Sequence, residues 1–123
     1  MKFAIAIAFT ILLSTQAMAQ KKSIKQSKPF QNVLLSLQTE SVSLFVESFT
    51  DRIVGDEKDS QVWLDRIKEG HEKMTQRFGN YELSDFTYKF DKEKSKLVIF
   101  YKGEEQFKMK VIKEDGKWKL DEK

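Results

Sequence analysis

The stretch Ser60–Phe78 constrains this chain most. At about 100° per residue, Trp63, Ile67, Gly70, Met74 and Phe78 fall within roughly 80° of one another, and Asp65, Lys68, Glu69, Glu72, Lys73 and Gln76 occupy the far side. Such a helix has one apolar face that another element has to cover. Asp59 or Ser60 supplies an N-cap, and Phe78, Gly79 and Asn80 form a stop signal. Glu69 and Lys73 make a favourable i,i+4 pair with the acid first. Gly70 lies inside the apolar stripe, where it costs about 1 kcal/mol against Ala. It predicts either a close approach by a second element or a mild kink.

Residues 32–53 read as a first helix. Leu35, Val42, Phe45, Val46, Phe49 and Ile53 form its broad stripe, Leu34 flanks it, and Leu37 and Leu44 lie on a second face. Ser36, Thr39, Ser41 and Ser43 weaken the middle, because hydroxyls compete for backbone hydrogen bonds. The start falls between Asn32 and Thr39, and the end at Val54 and Gly55, where Gly relieves a left-handed C-terminal position.

After Tyr81 the period changes from 3.6 to 2. Strands are predicted over 86–90, 96–102, 105–113 and 117–121, joined by 91–95, by Gly103 and Glu104, and by Asp115 and Gly116. The predicted register pairs Phe90 with Lys96, Tyr88 with Val98, Phe86 with Phe100, Phe100 with Phe107, Val98 with Met109, Val111 with Leu120, and Lys113 with Trp118. It gathers Phe86, Tyr88, Phe90, Val98, Phe100, Phe107, Met109, Val111, Trp118 and Leu120 on one face. The expected fold is therefore α+β: two N-terminal helices packed on one face of a four-stranded antiparallel meander sheet.

The opposite face is expected to carry Leu97, Ile99, Tyr101 and Ile112 among Thr87, Lys89, Lys108, Lys110, Lys117 and Lys119. Two readings stand side by side. Lysine stems lie over scattered apolar residues, or Leu97, Ile99, Tyr101 and Ile112 form an interface, for a homodimer or an envelope protein partner.

Residues 1–19 have the pattern of an export signal: Lys2, an apolar run of 11 residues over 3–13, and Ala17, Met18, Ala19 as a cleavage site. The run is shorter than the roughly 20 residues that span a bilayer. The mature chain is expected to begin at Gln20, periplasmic or secreted, with no transmembrane segment. Residues 20–31 read as a basic flexible leader holding Lys21, Lys22, Lys25, Lys28 and the chain's single proline, Pro29. That leader either remains disordered or attaches weakly to an anionic envelope surface. Residues 32–123 form a single α+β domain. From Asn32 onward 17 basic residues meet 19 acidic ones, so the fold lacks the clustered positive charge that nucleic acid requires. With no cysteine, disulfides, iron–sulfur clusters and thiolate zinc are excluded.

This order of an export signal, helices, a Gly-terminated helix and a meander ending in Gly116, Lys117 and Trp118 resembles nuclear-transport-factor-like domains within the cystatin-like α+β class. In particular it is similar to small exported bacterial members of unknown function. The resemblance implies a curved sheet around helices, a pocket at the open end and frequent dimers. Enzymes of that class, steroid isomerases and polyketide cyclases among them, use a pocket Asp or His base.

Here the predicted inner face has no Asp, Glu or His. A His71–Asp85 dyad is the only one that can be built, and no Gly-rich phosphate loop or metal-spaced cluster is present. No cofactor, metal or catalytic residue is assigned. The first expectation is a non-catalytic binding or interaction domain of the cell envelope, with a candidate pocket of Trp63, His71, Met74, Tyr88, Phe90 and Trp118. Those side chains equally suit a filled core. The alternatives are a small-molecule-binding or isomerase-like enzyme, and an inhibitor or immunity-type protein acting through the outer sheet face.

Overall fold

A computed structural model of the chain describes residues 20–122; the export signal expected over 1–19 lies outside them. Four helices, α1 (Lys28–Thr39), α2 (Val42–Glu47), α3 (Asp51–Val54) and α4 (Ser60–Phe78), precede a four-stranded antiparallel meander. Its strands are β1 (Phe86–Asp91), β2 (Lys96–Tyr101), β3 (Glu104–Glu114) and β4 (Lys117–Leu120). Short 3₁₀ turns, Lys25–Ser27 and Leu83–Asp85, lead into α1 and β1.

The helix α4 forms where its periodicity predicts. Asp59 caps it by accepting the Gln61 N–H at 2.9 Å, and Gly79 closes it at φ 71° with its N–H on the Thr75 carbonyl at 2.8 Å. Trp63 and Ile67 are buried. A Cβ at Gly70 would stand 3.1 Å from Leu37 Cδ2, so the glycine marks the close approach of α1.

The first predicted helix is three. Glu40 takes a left-handed conformation at φ 56° and ends α1; Ser41 then restarts the helix by accepting the Leu44 N–H. The hydroxyl-rich middle breaks where local side-chain bonds compete with the helix. Phe49 and Thr50 leave the helical path because they serve the sheet. The Thr50 N–H donates to the Leu120 carbonyl and the Leu120 N–H to the Ser48 carbonyl, a parallel bridge along the edge of β4.

Residues 20–31, expected as a flexible leader, lie against the sheet and run into α1. Lys21 exchanges two hydrogen bonds with Tyr88, at 2.8 and 2.7 Å, along the edge of β1. The helix α1 starts at Lys28, four residues before the earliest predicted start, with Pro29 in its first turn, where the missing N–H is harmless. Pro29 and Phe30 are buried. Both outer edges of the sheet are thus bridged, which blunts edge-to-edge association.

The sheet register corrects two of the three predicted hairpins. The structure pairs Tyr88 with Ile99 and Phe90 with Leu97, then Ile99 with Phe107 and Leu97 with Met109. Each is one residue away from the prediction, so β2 turns over. The reason lies in the turns. Asp91 and Lys96 close a four-residue turn, and its Ser95 has φ 53°. The second turn falls on Lys102 and Gly103, at φ 48° and 87°, the positive pair that a type I′ hairpin demands. A bulge beyond Ile99 absorbs the remaining residue. The third hairpin matches: Asp115 and Gly116, at φ 54° and 78°, pair Val111 with Leu120 and Lys113 with Trp118.

Leu97 and Ile99 therefore belong to the core, both at 0% exposure, in one cluster with Phe30, Leu34, Phe86, Tyr88, Val111 and Leu120. Tyr101 packs on Phe78, ring centroids 4.3 Å apart. Of the four residues expected to form an outer interface, only Ile112 keeps that face, paired with Lys119. Val98 and Phe100 move outward but stay covered; Val98 lies between Lys89 and Lys108 in register, whose stems suit that role.

Replacing Ile99 by Glu buries an unpaired charge, and the Ile99→Glu protein is expected to lose more than about 4 kcal/mol and its cooperative melt. Ile112→Glu, beside Lys119, is expected to cost less than about 1 kcal/mol. Thermal melts followed by circular dichroism separate the two; equally mild losses would show Ile99 facing outward.

Candidate functional site

A concavity lies between the start of α1 and the β3–β4 hairpin. Lys25 comes from the 3₁₀ turn, and Lys28, Pro29 and Asn32 from the first turns of α1. Lys113, Lys117, Trp118 and Lys119 come from the hairpin, and Glu47 and Ser48 from the end of α2; the cleft encloses about 630 Å³. The type I′ turn sets one wall, since it fixes Lys113 opposite Trp118. Lys113 Nζ stands 5.9 Å from the centre of the indole, within cation–π range. The indole meets Phe90 edge-on at 5.5 Å. Phe90 and Trp118 are on opposite outer strands, about 14 Å apart in a flat four-stranded sheet. Their contact shows how far the sheet curls.

The backbone contributes as well. Leu120 turns its N–H and C=O away from β3, towards Ser48 and Thr50. Trp118, two residues earlier in the strand, points both its N–H and its C=O the same way, beyond the end of that bridge.

Charge is segregated towards this cleft. Residues 20–122 hold 20 basic and 19 acidic side chains, and the cleft takes five lysines against the single carboxylate of Glu47. The remainder then carries 15 basic and 18 acidic groups. Among the described residues the ion pairs involve Arg52, Lys73, Lys96, Lys108 and Lys110, and none involves the cleft lysines. A recess lined by more lysines than carboxylates favours anions.

The six candidate pocket residues do not converge. Trp63 joins Phe45, Phe49, Ile53 and Arg66 around a separate apolar cleft of about 350 Å³, with its indole N–H on the Glu57 carbonyl at 3.1 Å and Arg66 4.6 Å above the ring. His71 Nδ1 shares a 2.7 Å hydrogen bond with the hydroxyl of Tyr81, whose pKa burial raises. The Asp85 carboxylate instead accepts the Glu82 N–H at 3.0 Å, so the His71–Asp85 dyad does not form. Met74 packs half-buried against the core. Tyr88 is fully buried, its hydroxyl has no partner among the described residues, and burial pushes its pKa well up. Phe90 and Trp118 meet ring to ring, Met74, Phe90 and Trp118 pack on the core cluster that holds Tyr88, and of the six Trp118 lines the basic cleft.

Sequence reasoning missed this cleft because its lysines are split between a supposed tail and the last hairpin. Phe30, four residues before Leu34 and seven before Leu37, extends a helical stripe upstream of Asn32; that signal would have drawn Lys28 into the fold.

One buried carboxylate holds the Glu47–Ser48 side of the cleft in place. Thr50 Oγ1 donates to Asp121 Oδ1 at 2.7 Å and Arg52 Nε to the same oxygen at 3.2 Å. Lys110 Nζ stands 3.7 Å from Oδ2. The hydrogen bond from Thr50 and then that from Arg52 hold the Asp121 pKa below the ordinary carboxylate value. Lys96 does the same for Glu122.

The chain matches no protein-family model, no curated protein and no solved structure. Among the described residues no helix is long and apolar enough to cross a membrane.

The lowered pKa of Asp121 sets a sign. Its charge-dependent stabilisation is present above the ordinary carboxylate range and disappears as pH falls through the lowered folded value. Asp121→Ala is expected to cost about 1–3 kcal/mol near neutral pH, the deficit shrinking in acid; urea titrations across that range check this, and a deficit independent of pH would assign it to packing. Tyr88→Phe removes a buried hydroxyl with no partner among the described residues and is expected to leave stability unchanged or raise it by up to about 1 kcal/mol. A loss of more than about 1 kcal/mol in the same titration would show that the hydroxyl is engaged.

Proposed function

We propose that this protein is a non-catalytic binding domain exported to the cell envelope, and that its site is the lysine-walled cleft beside Trp118, which binds anionic ligands. The observation that carries this reading is the segregation of charge: five lysines that line one recess and form no ion pair among the described residues, whose remainder is net acidic. Long-range attraction would bring an anion to the cleft, the side chain of Asn32 offers hydrogen bonds within it, and the indole offers a flat apolar wall. Export is supported by the charge, length and small-residue pattern of residues 1–19. Kinship with nuclear-transport-factor-like domains is likewise proposed. Its support is the run of helices followed by a curled meander, with Gly116 and Trp118 entering the last strand, and helices covering the concave face are part of that proposal.

Retention on immobilised heparin tests the site. The Lys113→Gln, Lys117→Gln, Lys119→Gln triple variant is expected to elute at clearly lower salt than the wild type. A control triple, Lys58→Gln, Lys92→Gln, Lys94→Gln, has the same change in net charge outside the cleft and is expected to elute close to the wild type. Equal shifts in both would overturn the assignment of the cleft.

A further inference from the structure

We infer that the ligand of the cleft is a compact molecule bearing at least two phosphate-type groups, one held at each wall; this rests on the proposed anion-binding reading. The lysines form two sets on separate elements. Lys25 stands in the 3₁₀ turn and Lys28 at the start of α1; on the β3–β4 hairpin Lys113 shares a face with Trp118, while Lys117 and Lys119, which alternate with Trp118, reach the cleft rim from the opposite face, Lys117 in register with Glu114. Glu47 is the one carboxylate in the lining, and it disfavours an anionic group beside it. Charge on the ligand is best placed towards the two lysine sets.

The residue type points the same way. Lysine is a compact, strongly hydrated point charge without the planar fork by which arginine grips one phosphate in bidentate fashion. A wall of lysines therefore gains little from a single anionic group and most from several groups that relieve repulsion across the cleft. At about 630 Å³ the space suits a small ligand. A bilayer presents a flat surface and would reach the rim only.

Calorimetric titration of the protein with orthophosphate, pyrophosphate and tripolyphosphate, at fixed ionic strength, tests this. Affinity is expected to rise at least about tenfold from orthophosphate to tripolyphosphate. Lys25→Gln with Lys28→Gln, and separately Lys113→Gln with Lys117→Gln, are each expected to abolish that rise, and each also to weaken orthophosphate binding, because both pairs belong to the site. Equal affinity for all three probes would overturn the two-wall inference and leave an anion site standing. No binding of any probe, together with heparin retention indifferent to the cleft lysines, would overturn the anion-binding reading itself. Binding confined to phosphatidylglycerol vesicles would replace the compact ligand by a membrane surface.

Discussion

The pairing of β2 decides what this molecule is. That strand is apolar at every position from Leu97 to Tyr101, so either of its faces could be buried, and only its turns choose. The left-handed pair at Lys102 and Gly103, with Ser95 in the preceding turn, commits Leu97 and Ile99 to the core. The core cluster of Phe30, Leu34, Phe86, Tyr88, Val111 and Leu120 then closes around them. Type I′ geometry fixes pairing because its twist matches that of the strands it joins. A one-residue change there exchanges the two faces of the strand.

The same logic explains which parts of the fold were legible. In α4, polar and apolar residues alternate at 3.6, and one register satisfies them; Gly70 even announced its neighbour, which proved to be Leu37. Between β3 and β4 the Asp115–Gly116 turn leaves a single pairing. In β2 the side chains carry no such contrast, and the placement of Leu97, Ile99 and Tyr101 was lost with it. Residues 20–31 failed for a different reason. Lys21 joins β1 through backbone hydrogen bonds alone, which any residue but proline can make, so its side chain gave no signal. The helix 32–53 failed at Glu40, whose left-handed turn is imposed by what α2 must reach.

The cleft is a product of those unread features. Its first wall exists because Lys21 is bonded to β1 and the segment after it runs into α1. Its second exists because β4 pairs with β3 in the register that sets Lys113 against Trp118. In sequence these lysines are some ninety residues apart; in the fold they share a recess about 630 Å³ in volume. Repulsion among them opposes folding, and a fold selected for stability alone would scatter them or pair them, as it pairs Lys96 with Glu122. Their placement around one cleft is what the proposed charge-recognition surface would need.

Edge closure and site geometry have a common anchor. The segment from Glu47 to Thr50 lines the cleft at one end and bridges β4 at the other, and Asp121 receives hydrogen bonds from Thr50 and Arg52 just past that bridge. A carboxylate in that position does two jobs with one charge. It satisfies the buried threonine hydroxyl, and it ties the short helix α3 to the end of the sheet, so that the strap between α2 and α3 cannot swing away from β4. Protonation weakens both bonds together, because both end on the same oxygen. The wall of the cleft and the protected edge of the sheet therefore respond as one unit, and the position of Ser48 and Glu47 relative to Trp118 is set by the chemistry of a residue that does not itself line the cleft.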